Sequence, residues 1–148
     1  MNERMLKELW VGTIFANYYE FAAYIRKAYR ELKTRARSGE GLITYGELGN
    51  KIALYSPDYF DVKIGQIVGA CSIYAYRNGA PLISSLVVNQ DTGRPGKGFW
   101  GLPGIPSHLR RYVKSVELVM PEKLDEERER FWAEQVRRVL TWDWEEDP

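Results

Sequence analysis

The sequence predicts an α+β fold in which helices dominate, and three observations carry that expectation. Residues from Glu3 to about Arg37 repeat apolar side chains at three- and four-residue steps, which is the period of a helix. Thr44-Tyr45-Gly46-Glu47 has the Thr-x-x-Glu form of a capping box and so fixes a helix start. Leu82–Val88 is short and β-branched and runs into glycine- and proline-rich turn chemistry, the pattern of a strand leading into a turn.

At 148 residues the chain is the size of one domain. We expect a single domain over 1–148, with an N-terminal helix (1–40), a central core (42–101) and a C-terminal helical segment (102–148). The net charge of +1 conceals an asymmetry: residues 1–40 carry eight Lys/Arg against five Asp/Glu, whereas residues 121–148 carry five against ten. Binding to phosphates must therefore come from a local patch rather than from overall charge. The single cysteine, Cys71, excludes an intrachain disulfide framework and a cysteine-rich zinc site, and the single histidine, His108, excludes a histidine-rich metal site. We expect no metal and no other cofactor. A reducing cytoplasm suits this cysteine usage. Glu3 and Glu8 interrupt any signal-peptide pattern, and the apolar run from Leu9 stops at Glu20, short of the ~20 residues a bilayer crossing needs. A cytoplasmic protein with no membrane partner is the expectation.

Along the chain, Leu6, Trp10, Ile14, Tyr18, Phe21, Ile25, Tyr29 and Leu32 form one apolar face of a long helix, or of two helices broken near Gly12. The opposite face holds Arg26, Lys27, Arg30, Lys33, Arg35 and Arg37, read as a solvated face or a phosphate-facing patch, and Ser38–Gly41 stops the helix. Leu42-Ile43 reads as a very short strand, and Tyr45 to about Leu54 as a short helix. Pro57 disfavours helix at Ser56, so Tyr55–Asp58 is a loop from which Asp58 or Ser56 caps a second helix to about Arg77. Ile64, Ile67, Val68, Cys71, Ile73 and Tyr74 are its expected buried stripe. After the Leu82–Val88 strand, Asp91–Gly96 is a turn and Gly98–Gly101 a return strand, giving a hairpin with Arg94 and Lys97 at its tip. Ser107 is placed to cap a short helix to about Ser115. An amphipathic last helix follows Pro121 and buries Leu124, Phe131, Trp132, Val136, Val139 and Leu140, with Trp142 and Trp144 packed onto the body. The order helix, helix, strand and glycine-tipped hairpin over Leu42–Phe99 is that of a winged-helix centre, flanked here by the N- and C-terminal helices.

Thr44-Tyr45-Gly46-Glu47-Leu48, then Ile64-Gly65, then Val87-Val88-Asn89 with Gly93, resembles the C-terminal domain of the alkylguanine DNA alkyltransferases and the alkyltransferase-like proteins, over roughly residues 42–99. The resemblance implies that Tyr45 touches a backbone phosphate and that the second helix lies in the minor groove of duplex DNA. It does not extend to the chemistry: the family's Pro-Cys-His-Arg box is replaced by Ile83-Ser84-Ser85-Leu86, and its intercalating arginine aligns near Val62. Without those residues alkyl transfer and base flipping are not expected. The segment Pro81–Phe99 is also similar to one in uncharacterised bacterial and phage proteins, which implies no activity.

Other chemistry is equally sparse. Asp58 and Asp61-Val62-Lys63 resemble a metal-nuclease pattern, but both acids fall within one turn of a helix start, where capping explains them. No Gly-x-Ser-x-Gly elbow surrounds Ser84-Ser85, and the glycine-rich tip lacks a Gly-Lys-Ser/Thr ending. The sequence therefore predicts a non-enzymatic nucleic-acid-binding protein, duplex DNA being the expected partner. Tyr45, Lys51, Lys63, Gln66, Arg94 and Lys97 are the candidate contacts. The alternatives are a protein-interaction or regulatory subunit on the same scaffold, and an enzyme acting on nucleic acid or a nucleotide. An acidic or apolar surface across the second helix and wing would favour the protein-interaction reading.

Overall fold

In the computed structural model, which describes residues 1–111 and 125–145, the N-terminal periodicity resolves into two helices, α1 (Glu3–Trp10) and α2 (Tyr18–Ser38). Gly12, at φ +83°, turns the chain between them. Asn17 then caps α2 by accepting from the Glu20 amide at 3.1 Å. The break moves Ile14 out of the expected buried stripe and leaves it 45% exposed, while Leu6, Phe21, Ile25 and Leu32 are fully buried.

β1 (Ile43–Thr44) and α3 (Tyr45–Lys51) follow. The capping box is formed as expected: the Glu47 amide donates to Thr44 Oγ1 at 3.1 Å, and the Thr44 amide donates to Glu47 Oε1 at 3.4 Å. Next comes α4 (Phe60–Arg77), whose N-cap is Tyr59, in the left-handed region at φ 60° and without a side-chain cap. Neither Asp58 nor Ser56 caps it. The Ser56 hydroxyl instead donates to the Asp58 carbonyl and accepts from Lys63 Nζ at 3.1 Å. Gly49 in α3 is required by this approach, since a Cβ there would meet the Phe60 ring at 2.6 Å.

The expected strand shrinks to β2 (Val87–Val88), which pairs in parallel with β1 through Ile43↔Val87 and Thr44↔Val88. Ile83–Leu86 is a 3-10 turn, in which Ser85 Oγ bonds locally to the Leu82 carbonyl at 2.7 Å while the Ser84 amide donates to Ser72 Oγ on α4 at 2.8 Å. The return strand of the expected hairpin is absent among the described residues. Asn89 and Arg94 close a tight loop, with the Asn89 amide donating to the Arg94 carbonyl at 2.8 Å, and Lys97–Gly101 coils into a second 3-10 turn. That turn buries Phe99 and Trp100, which a flat two-stranded ribbon would hold on opposite faces.

Ser107–Leu109 is a further 3-10 turn, and the remainder of the helix expected to reach Ser115 lies outside the described residues, as does Leu124. α5 (Glu126–Thr141) is capped by Asp125, whose Oδ1 accepts from the Arg128 amide at 2.9 Å. Leu140 is 36% exposed rather than buried. Two apolar clusters result. The larger one joins α1, α2, α3 and α4 with Ile83, Leu86, Val87, Val139 and Trp144. The smaller one packs Leu82, Val88, Phe99, Trp100, Leu102, Ile105 and Leu109 under Trp132 of α5. No described helix is long and apolar enough to cross a membrane. The α+β class is as expected, with a sheet of two short strands.

Candidate functional site

Each of the six side chains expected to meet nucleic acid makes a contact inside the fold. The Arg94 guanidinium donates from Nε to Glu129 Oε2 at 2.8 Å, engages Oε1 of the same carboxylate through Nη2, and lies 5.0 Å from the centre of the Trp132 ring. It clamps the 89–96 loop to α5. The Tyr45 hydroxyl accepts from the Gly96 amide at 2.9 Å and holds the other end of that loop. Burial pushes its phenol above the ordinary tyrosine value, and the Gly96 amide pulls it part of the way back. Gln66 Oε1 accepts from the Ile14 amide at 3.0 Å, tying the α1–α2 connection to α4. Lys63 donates to Ser56 with its ammonium 5.8 Å from the Phe15 ring centre. Lys51 pairs with Glu31 of α2 at 3.5 Å, and Lys97 is half-buried and also interacts within the chain.

The α2 cations divide in the same way. Lys33 Nζ donates to the Glu145 carbonyl at 3.1 Å, and Arg37 Nη2 donates to the Trp144 and Glu145 carbonyls at 2.8 and 2.6 Å. Arg35 reaches the Gly41 and Leu42 carbonyls at 2.8 and 2.7 Å. These three therefore fasten the C-terminal segment and the α2–β1 loop. Arg26 and Lys27 stay exposed.

The serine pair and the cysteine that the sequence singles out are enclosed. Ser84 and Ser72 are buried and bonded to each other through their hydroxyls, and Cys71 is fully buried, its thiol pushed far above the ordinary value by desolvation. His108 is an exposed residue 3.5 Å from Glu127. Among the described residues no group of three or more His, Cys, Asp or Glu side chains is arranged to hold a metal ion.

One end of the molecule exposes a different set of side chains. α2 and α4 run in the same direction, since Phe15 meets Lys63, the Cys71 thiol donates to the Ile25 carbonyl, and the Tyr29 and Tyr74 rings lie 5.3 Å apart. Their starts accordingly share one end of the molecule. There the α1–α2 connection exposes Val11 and Ile14, α2 opens with Tyr19 at 76% exposure, and the α3–α4 loop presents Tyr55 at 77% and Tyr59 at 72%. The carboxylates of Glu20, Asp58 and Asp61 are exposed alongside. A sequence cue existed in Tyr55-Ser56-Pro57-Asp58-Tyr59, a proline turn framed by tyrosines, whereas nothing in a helical period announces that Ile14 falls in a break.

Compared with protein-family models, with curated protein sequences and with solved structures, the chain matches none.

Proposed function

We propose that this chain is a non-enzymatic protein-recognition module, built on a winged-helix-type core and binding its partner through the shared end of α2 and α4. The observation that carries this reading is the exposed set Ile14, Tyr19, Tyr55 and Tyr59 at that end. Large apolar side chains gathered on a surface favour burial against another protein, and tyrosine contributes contact area with little conformational entropy to lose. The engagement of Arg94, Gln66 and Lys63 within the fold supports the same reading, because it withdraws the cations and amide that a DNA-reading helix and wing would present. Support for the winged-helix-type core comes from the capped α3, the following α4 and the strand pairing, with the loop 89–96 in the place of a wing.

The test is affinity purification with and without nuclease. A complex that survives nuclease treatment and is lost in the Tyr55→Ala/Tyr59→Ala variant is the expected result. Retention that disappears with nuclease and ignores both tyrosines would overturn it. Arg26 and Lys27, exposed midway along α2, favour one second reading, a duplex-binding protein that uses α2 rather than α4. Under that reading a labelled duplex binds with a salt dependence that falls by about one counterion for each of Arg26→Ala and Lys27→Ala.

A further inference from the structure

We infer that the partner docks on the α2–α4 end face through a cationic segment, one that carries Arg or Lys side chains between apolar ones. This rests on the protein-recognition reading and adds the chemistry of the partner to it. The aromatic and aliphatic side chains provide the contact: Tyr55 and Tyr59 stand on the loop before α4, and Ile14 is held against α4 by the Gln66 bond. The carboxylates then choose the sign. Glu20, Asp58 and Asp61 are all exposed at this end. The nearest cation on α4, Lys63, is half-buried and turned inward onto Ser56 and Phe15. On α1, Lys7 lies 3.6 Å from Glu3 and Arg4 3.9 Å from Glu8, which leaves that helix locally balanced.

A guanidinium or ammonium arriving here meets carboxylates and the faces of exposed tyrosine rings together, and each attracts a cation. Other occupants fit less well. A second copy related by a two-fold axis would oppose the same carboxylates to one another. A nucleic-acid backbone would bring phosphates against them.

The probe is a displayed library of random peptides, selected on the full chain and counter-selected on Tyr55→Ala/Tyr59→Ala. Both tyrosines are exposed, so the variant keeps the core intact, and circular dichroism checks this. The expected outcome is enrichment of peptides rich in Arg or Lys. Synthesised and measured by fluorescence anisotropy, they should bind at least about tenfold more weakly to the tyrosine variant. Asp58→Asn/Asp61→Asn should weaken them about threefold or more at low salt. Enrichment of neutral or acidic peptides that still need the tyrosines would overturn the cationic partner and leave the protein-recognition reading standing. If no enriched peptide depends on the tyrosines, both fail. Cationic peptides that bind equally well to the Asp58→Asn/Asp61→Asn variant would overturn the role given to the carboxylates.

Discussion

Two segments of this molecule carry the residue types of a binding surface, and the fold treats them oppositely. Residues 89–101 hold glycines, a proline, Arg94 and Lys97, the composition of a loop that reaches for phosphate. Yet Arg94 is paired with Glu129 and stacked on Trp132, Gly96 is bound to Tyr45, and Phe99 and Trp100 are buried. The end formed by residues 11–19 and 55–66 reads as helix stripe and short loop. It nevertheless leaves Ile14, Tyr19, Tyr55 and Tyr59 to solvent, with Tyr59 held in a backbone conformation that a tyrosine seldom adopts. A cation in a turn becomes a ligand contact only when no carboxylate and ring inside the same chain satisfy it first.

The largest expected effect tests whether the 89–96 loop is structural. Trp132 is buried, donates from Nε1 to the Ser85 carbonyl at 2.9 Å and supports the Arg94 guanidinium. Trp132→Ala should cost about 3–5 kcal/mol in chemical denaturation. Arg94→Ala comes next, at about 1–2 kcal/mol, because it removes a half-exposed ion pair together with the stack on Trp132. If Arg94→Ala leaves the denaturation midpoint unchanged and instead abolishes duplex binding, the comparison is reversed and the loop is a wing after all.

Much of the fold was legible because it rests on short-range chemistry. The Thr44–Glu47 box, the buried positions of α2 and the burial of Cys71 all follow from spacing and side-chain type, whereas Gly12 left one helix or two as alternatives. The hairpin was not, since its return strand depended on what Phe99 and Trp100 would pack against, and that partner is Leu82, Val88 and Trp132, the last of them more than thirty positions away. The partners that the candidate contacts take inside the fold were hidden for a related reason. Gln66 meets Ile14, Lys51 meets Glu31 and Arg94 meets Glu129, and every one of these pairings is made by tertiary packing that no local period encodes.

A smaller effect separates the structural role of Tyr45 from phosphate contact. Tyr45→Phe removes the acceptor of the Gly96 amide and keeps the ring, so stability should fall by about 0.5–1.5 kcal/mol. Binding of the partner at the α2–α4 end should be unchanged, because the substitution alters none of the exposed side chains there, as titrations of the two proteins side by side would reveal. A loss of duplex affinity with unchanged stability would return Tyr45 to the role its motif implies.

The smallest effect has the opposite sign and bears on the exposed end itself. Ala53 at φ 59° and Tyr59 at φ 60° bracket the loop before α4, and both sit where a Cβ is strained. Replacing either with glycine relieves the strain at the expense of a more flexible unfolded chain, a net gain of about 0.5–1 kcal/mol. Thermal unfolding should therefore shift upward for both Ala53→Gly and Tyr59→Gly. The two variants should part company in binding. Ala53→Gly leaves the aromatic face intact and should bind its partner as before, whereas Tyr59→Gly should be more stable and bind more weakly. That combination is what strain retained for recognition produces. Equal binding by both variants would mean that Tyr59 owes its backbone to the geometry of the loop alone.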